Sequence, residues 1–248
     1  MDSLKEVSSS DTPEDFLTRA LAANSASERA HFARLGLDAD PDVEPDTEFL
    51  LLRQVYLSEI EAHHFHAAAE LATRMGQLGG SMEDVAHHDR SRALTALGDT
   101  VGAIQAQRLA ARCAPPARRS FHCWGLATLL QFVGDYDGAE SALKRGERWA
   151  HQDRALLRAH RAWVCLLAGR MVEEMAEIIA DLESSPARKG YGELVLGMLR
   201  HELGDGRRAA VHLRTFVRRN AAIDGPKATT LREELRLART VLAELESD

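Results

Sequence analysis

Apolar positions recur every three to four residues along most of the chain, and strict alternation over four to eight residues is absent. That pattern predicts helices throughout and no strand. Residues Lys227 to Glu246 place Leu231, Leu235, Ala238, Leu242 and Leu245 on one stripe, with Arg232, Glu233, Glu234, Arg236, Arg239 and Glu244 on the other faces. A helix of that kind packs one side and wets the rest. Phe121 to Val133 is apolar on almost every side, which predicts a helix sandwiched between neighbours. Residues 1–12, rich in serine and acid, read as a mobile tail. Residues 13–45 read as a helical pair, and the acidic, proline-bearing stretch Asp38 to Asp46 as a loop.

Between these ends the chain repeats itself. The clearest unit is Phe132-Val133-Gly134-Asp135-Tyr136-Asp137-Gly138-Ala139, an apolar helix end running into Gly-Asp, an aromatic and a small residue. Leu97-Gly98-Asp99 stands 36 residues earlier, Ala168-Gly169-Arg170 35 residues later, and Leu203-Gly204-Asp205 a further 35 on. A fifth copy, His63-His64-Phe65-His66-Ala67-Ala68, keeps the aromatic and the small residue with histidine in place of the glycine. A degenerate sixth covers Ala30 to Pro41, and Pro115 and Pro186 close two later second helices. Glycine accepts the positive φ that ends one helix and starts the next, while alanine lets two backbones approach. Each pair leaves an apolar face that the next pair covers. The expected organisation is repeats over 46–226 and a capping helix over 227–248.

These units resemble the tetratricopeptide family. Leu196-Gly197, Gly204, Ala209 and Leu213 fill its pattern, as do Leu126-Ala127, Gly134, Tyr136, Ala139 and Leu143. Departures are Cys123 and Glu193 at the usual tryptophan, Arg200 at the tyrosine and Glu174 at a small position; the unit Arg154 to Pro186 diverges most. The resemblance implies an all-α fold, a right-handed α-solenoid of about five to six helix-turn-helix repeats with a C-terminal cap. It implies a groove lined by first helices that holds another protein or a peptide segment. Carried onto this chain, the groove residues are Arg53, His88, Arg92, Trp124, Thr128, Gln131 and His201, with Trp163, or Arg158 and Arg161, from the divergent unit.

Composition narrows the chemistry. The chain has 248 residues, 45% hydrophobic and 28% charged, and a net charge of −7. No run of 18 apolar residues exists and the first twenty lack a basic start followed by an apolar stretch, so no membrane insertion and no signal peptide are expected. Cys113, Cys123 and Cys165 form no CxxC pair, which points to a reducing, cytoplasmic setting. The clusters His63, His64, His66 and His87, His88, Asp89 raise the question of a metal, but adjacent ligands diverge on a helix, and no metal or cofactor is expected. Cys123 follows His122 but sits at a core position, HExxH, GxSxG, GxxxxGK and GxGxxG are absent, and no enzyme is expected.

Charge is polarised along the chain. Residues 1–50 carry twelve acids against four bases, and residues 187–220 eight bases against three acids. Arg207, Arg208, Arg218 and Arg219 therefore form a second candidate contact for an acidic partner or for self-association. The acidic total and the lack of interleaved aromatics argue against nucleic acid. The function expected is a protein-binding adaptor, scaffold or chaperone, with a small-peptide-sensing regulator as the alternative.

Overall fold

One chain reversal occurs five times. His63, Gly98, Gly134, Gly169 and Gly204 all hold a positive φ, at 59°, 79°, 81°, 69° and 75°. In each case the next residue donates its N–H to the carbonyl five positions back: His64 to Glu59 (2.9 Å), Asp99 to Leu94 (3.0 Å), Asp135 to Leu130 (2.9 Å), Arg170 to Cys165 (2.9 Å) and Asp205 to Arg200 (2.8 Å). This left-handed stop satisfies carbonyls that the helix end would otherwise leave without donors. His63 keeps the register of the four glycines and adopts the same conformation at a steric cost that they avoid.

These turns belong to a computed structural model that describes residues 11–220 and 231–247, in which every regular element is helical. The chain divides into two units, Met1–Ala103 and Ile104–Asp248. The first holds α1 (Pro13–Ala22), α2 (Ala26–Ala39), α3 (Pro45–Glu61), α4 (Phe65–Leu78) and α5 (Glu83–Leu97), and α6 (Thr100–Cys113) crosses the division. The second continues through α7 (Pro116–Phe132), α8 (Tyr136–Glu147), α9 (Arg154–Leu167), α10 (Met175–Ser184), α11 (Tyr191–Glu202), α12 (Gly206–Asn220) and α13 (Arg232–Ser247). Period, turn and small-residue positions are those of a tetratricopeptide-like helical repeat. Among the described residues no helix is long and apolar enough to cross a membrane.

Within the first unit α3 is the shared wall. Leu51 and Val55 pack on Phe16 and Ala20 of α1 and Phe32 and Ala33 of α2, while Phe49, Leu52, Tyr56 and Ile60 pack on α4 and α5. In the second, α9 has the same role. Leu157 and Val164 join α7 and α8, and Leu156, Ala159, Ala162 and Trp163 join the core of α10 to α13. A helix buried on two sides in this way ties successive pairs into one core.

The divergent pair departs for a local reason. After Gly98, Gly134 and Gly204 comes an aspartate whose carboxylate accepts an N–H of the next helix, from Gly102 (2.9 Å), Gly138 (2.9 Å) and Arg208 (3.3 Å). Arg170 stands in that place after Gly169 and pairs with Asp137 and Glu140 of α8 instead. Without the N-cap the second helix starts late, at Met175, behind Glu174 in a left-handed conformation. Arg158 of α9 then binds Glu174, Glu177 and Asp181 at 2.8, 3.1 and 2.9 Å, holding α10 against α9.

Four expectations change. Residues 1–10 lie outside the described residues, but the expected tail ends before residue 12: Thr12 caps α1 in a capping box with Asp15, and Asp11 pairs with Arg19 at 2.9 Å. The loop expected over Asp38 to Asp46 is shorter, because α2 runs to Ala39 and α3 opens at Pro45. α7 is not covered all round, since Phe121 is 46% and Val133 48% exposed; partner and next pair enclose two sides of a helix and leave a third to water. α13 buries Leu235, Ala238, Val241 and Leu242 as a cap does, yet Glu234 is buried with them, and 227–230 lie outside the described residues.

The turn chemistry sets the sign of two substitutions. No atom lies within 4 Å of a Cβ built at Gly134, so Gly134→Ala carries only the backbone cost, about 1 to 2 kcal/mol. His63→Gly relieves the same strain and raises the melting temperature, while Gly134→Ala lowers it. Thermal denaturation followed by circular dichroism reads both; equal shifts of one sign contradict the shared turn.

Candidate protein-binding surfaces

In the second unit, helices α7 and α9 bring three of the expected contact residues, Trp124, Gln131 and Trp163, to one imidazole. His160 is fully buried. Its Nδ1 accepts from Trp124 Nε1 at 2.9 Å and its Nε2 donates to Gln131 Oε1 at 2.5 Å. That wiring selects the neutral Nε2–H tautomer, and burial pushes the pKa down to about 3. Trp163 stacks on the ring at 5.4 Å. Tyr191 of α11 meets the Trp124 indole edge-on at 4.7 Å, and burial together with the neighbouring Glu234 raises its hydroxyl pKa. Burial raises the Glu234 carboxyl to about 7, with Glu233 adding to the effect.

This placement removes two residues from the expected groove. Trp163 is 1% and Gln131 6% exposed, so both are core, enclosed because the next pair covers that side of α9 and α7. Trp124 is half-buried with its ring nitrogen committed, and Thr128 donates to the Trp124 carbonyl at 3.2 Å. Buried polar groups demand such partners, and a satisfied network specifies one packing. His160, Tyr191 and Glu234 were missed from sequence. The repeat period carries a signal for the first, since His160 lies 36 residues after Trp124, the same place in the next first helix.

The first unit uses its expected contacts similarly. Asp89 is fully buried and accepts from Arg53 Nε at 2.9 Å, again 36 residues apart, with Arg92 at 3.7 Å. Tyr56 donates its hydroxyl to the Asp89 carbonyl at 2.8 Å. Two arginines thus hold the carboxylate of the His87, His88, Asp89 cluster, and His88 sits half-buried beside it. In the other cluster His64 pairs with Glu59 at 2.8 Å and His63 packs edge-on against Phe65. Cys123 is fully buried and its sulfur accepts from Arg145 Nε at 3.3 Å.

The basic end is arranged differently. α12 and α13 leave a shallow groove between them with Ala210, Val211 and Leu245 along one part and Val217 and Leu242 along the next. Arg207, Arg214 and Arg218 line it, on the same helical stripe as Val211, and His201 and Gly204 close one end. Val211 is 57% exposed. Among the described residues no carboxylate pairs with Arg207, Arg218 or Arg219. Arg208 is exposed and 3.6 Å from Asp205, and neither it nor Arg219 lines the groove. Val211 is not among the expected contacts, and Arg214 counts only toward the basic charge of 187–220; their spacing of four and seven from Arg207 marks them as its neighbours.

No protein-family model and no curated protein matches the chain. Among solved structures, a tetratricopeptide repeat protein from Parabacteroides merdae is similar over 92% of this chain and 98% of its own, with 14% identity and a TM-score of 0.47.

Titration of the buried carboxyl has a definite direction. Raised from 4.5 to about 7, Glu234 binds its proton better in the folded state, so its contribution is fully present below pH 4.5 and is lost as pH rises through 7. By pH 8 the loss is roughly 3 kcal/mol. The melting temperature of Glu234→Gln relative to wild type should therefore be several degrees higher at pH 8 than at pH 5. A pH-independent difference contradicts a buried titrating carboxyl.

Proposed function

We propose that the chain is a non-catalytic protein-interaction module that takes an acidic, partly apolar polypeptide segment in the groove between α12 and α13. The observation that carries this reading is the combination there of an exposed apolar floor with arginines that lack carboxylate partners among the described residues. A cation already paired offers an incoming carboxylate little, whereas Arg207 and Arg218 gain a partner on binding. Val211 and Leu245 supply apolar area, and arginine is a residue type enriched where interfaces hold their energy.

The residues around Trp124 favour a structural role over a contact one. The Trp124 ring nitrogen is spent on His160, and an anchor that must first break that hydrogen bond binds at a cost. The groove at the basic end pays no such cost, and chemistry is not called for by any group that lines it.

A fluorescein-labelled amphipathic peptide, with leucine at helical spacing and glutamate elsewhere, tests this by anisotropy. Wild type is expected to bind it with an affinity that falls as salt rises. Arg207→Gln with Arg218→Gln should weaken binding at least tenfold with an unchanged circular-dichroism spectrum, while Arg108→Gln, an exposed arginine on α6, leaves it unaltered. Binding indifferent to the groove pair overturns the reading.

A further inference from the structure

The chain itself contains a segment whose chemistry fits this groove. Asp38, Asp40, Asp42, Glu44 and Asp46 fall at every second position from the end of α2 to the start of α3, and all five are exposed. Among the described residues no cation pairs with any of them. Pro41 and Pro45 keep the intervening backbone from continuing either helix, Asp40 is extended at φ −145° and ψ 117°, and the Asp42 N–H donates to Asp40 Oδ1 at 2.9 Å. The carboxylates are thereby displayed on a short, stiff connection. Val43 lies among them as an apolar residue.

We infer that the groove between α12 and α13 receives the acidic segment 38–46 of a second copy of the chain, so that copies join head to tail. The inference rests on the groove reading above and adds its occupant. Dimensions agree. The stretch from Asp40 to Glu44, which turns at Pro41 and Asp42, spans at most about 13 Å, and fits within the roughly 16 Å that eleven helical steps from Arg207 to Arg218 cover. Sign agrees too, because an unpaired acidic row meets an unpaired basic one. Arg214 joins readily, since its pair with Glu246 is exposed on both sides and such pairs are weak. The two surfaces differ, so the contact is heterologous: each copy offers one acidic surface and one basic surface, and association continues beyond two chains unless the rotation closes a ring. The net charge of −7 opposes close approach of whole chains, which makes local complementarity the deciding term.

The test is mass in solution against concentration, by light scattering on the full chain. In about 0.02 M salt wild type is expected to exceed the mass of one chain increasingly with concentration, and in about 0.3 M salt to return to it, as screening of exposed pairs requires. Arg207→Gln with Arg218→Gln removes the basic end, and Asp40→Asn with Asp42→Asn removes the acidic one. Each variant alone should associate at least tenfold more weakly. Mixed in equal amounts they should give a two-chain complex and nothing larger, because one intact acidic end and one intact basic end remain between them. A wild-type mass of one chain at every concentration in low salt overturns the inference. So does association that both variants retain, or a mixture that stays at one chain. The labelled glutamate–leucine peptide separates the two levels: if it binds while wild type stays single, the groove stands and only the second copy is lost; if it fails as well, the groove reading falls.

Discussion

The architecture depends on a backbone turn in which one residue takes a left-handed conformation and its successor's N–H reaches the carbonyl five positions back. That bond closes each first helix and reverses the chain within two or three residues. Because it recurs at steps of 35 and 36, equivalent positions of successive first helices within each unit come to lie side by side. Arg53 with Asp89 and Trp124 with His160 are both contacts across 36 residues. A turn that shifted by one residue would rotate the next helix by about 100° and separate every such pair.

Those contacts decide which residues remain for a partner. Burying Asp89, His160 and Glu234 is costly unless each finds a counterpart, and each does: two arginines, an indole with an amide, and a phenol. The arrangement consumes the side chains that look most suited to recognition in the sequence. The surface we propose for binding lies on α12 and α13, where Val211 is exposed and Arg207 and Arg218 lack carboxylate partners among the described residues.

The helix pairs and their register were legible because the turn needs few residue types, and even His63 betrayed itself through Phe65 and Ala67 at the right distances. Glycine, aspartate and proline act through local sterics, which a sequence displays. Burial does not show itself so directly. On α13 the apolar stripe through Ala238 is legible, but Glu234 and Val241, four residues before it and three after, are buried with it, and spacing alone does not show that a carboxylate is covered there. Trp163 was ambiguous for the same reason, since an indole at a first-helix position serves core or surface equally well. Charge along α12 is visible in the sequence and shape is not: Arg207 and Arg218 line the groove with Val211 and Arg214, while Arg208 and Arg219 do not.

The central claim is that recognition takes place on α12 and α13 and leaves the aromatic network undisturbed. Hydrogen–deuterium exchange of the full chain, with and without a saturating acidic amphipathic peptide, tests it most directly. The account predicts added protection in residues 206–220 and 232–247 and none in 116–132 or 154–167, whose amides are already held by buried packing. Protection gained around Trp124 and Thr128, with α12 and α13 unchanged, would contradict it.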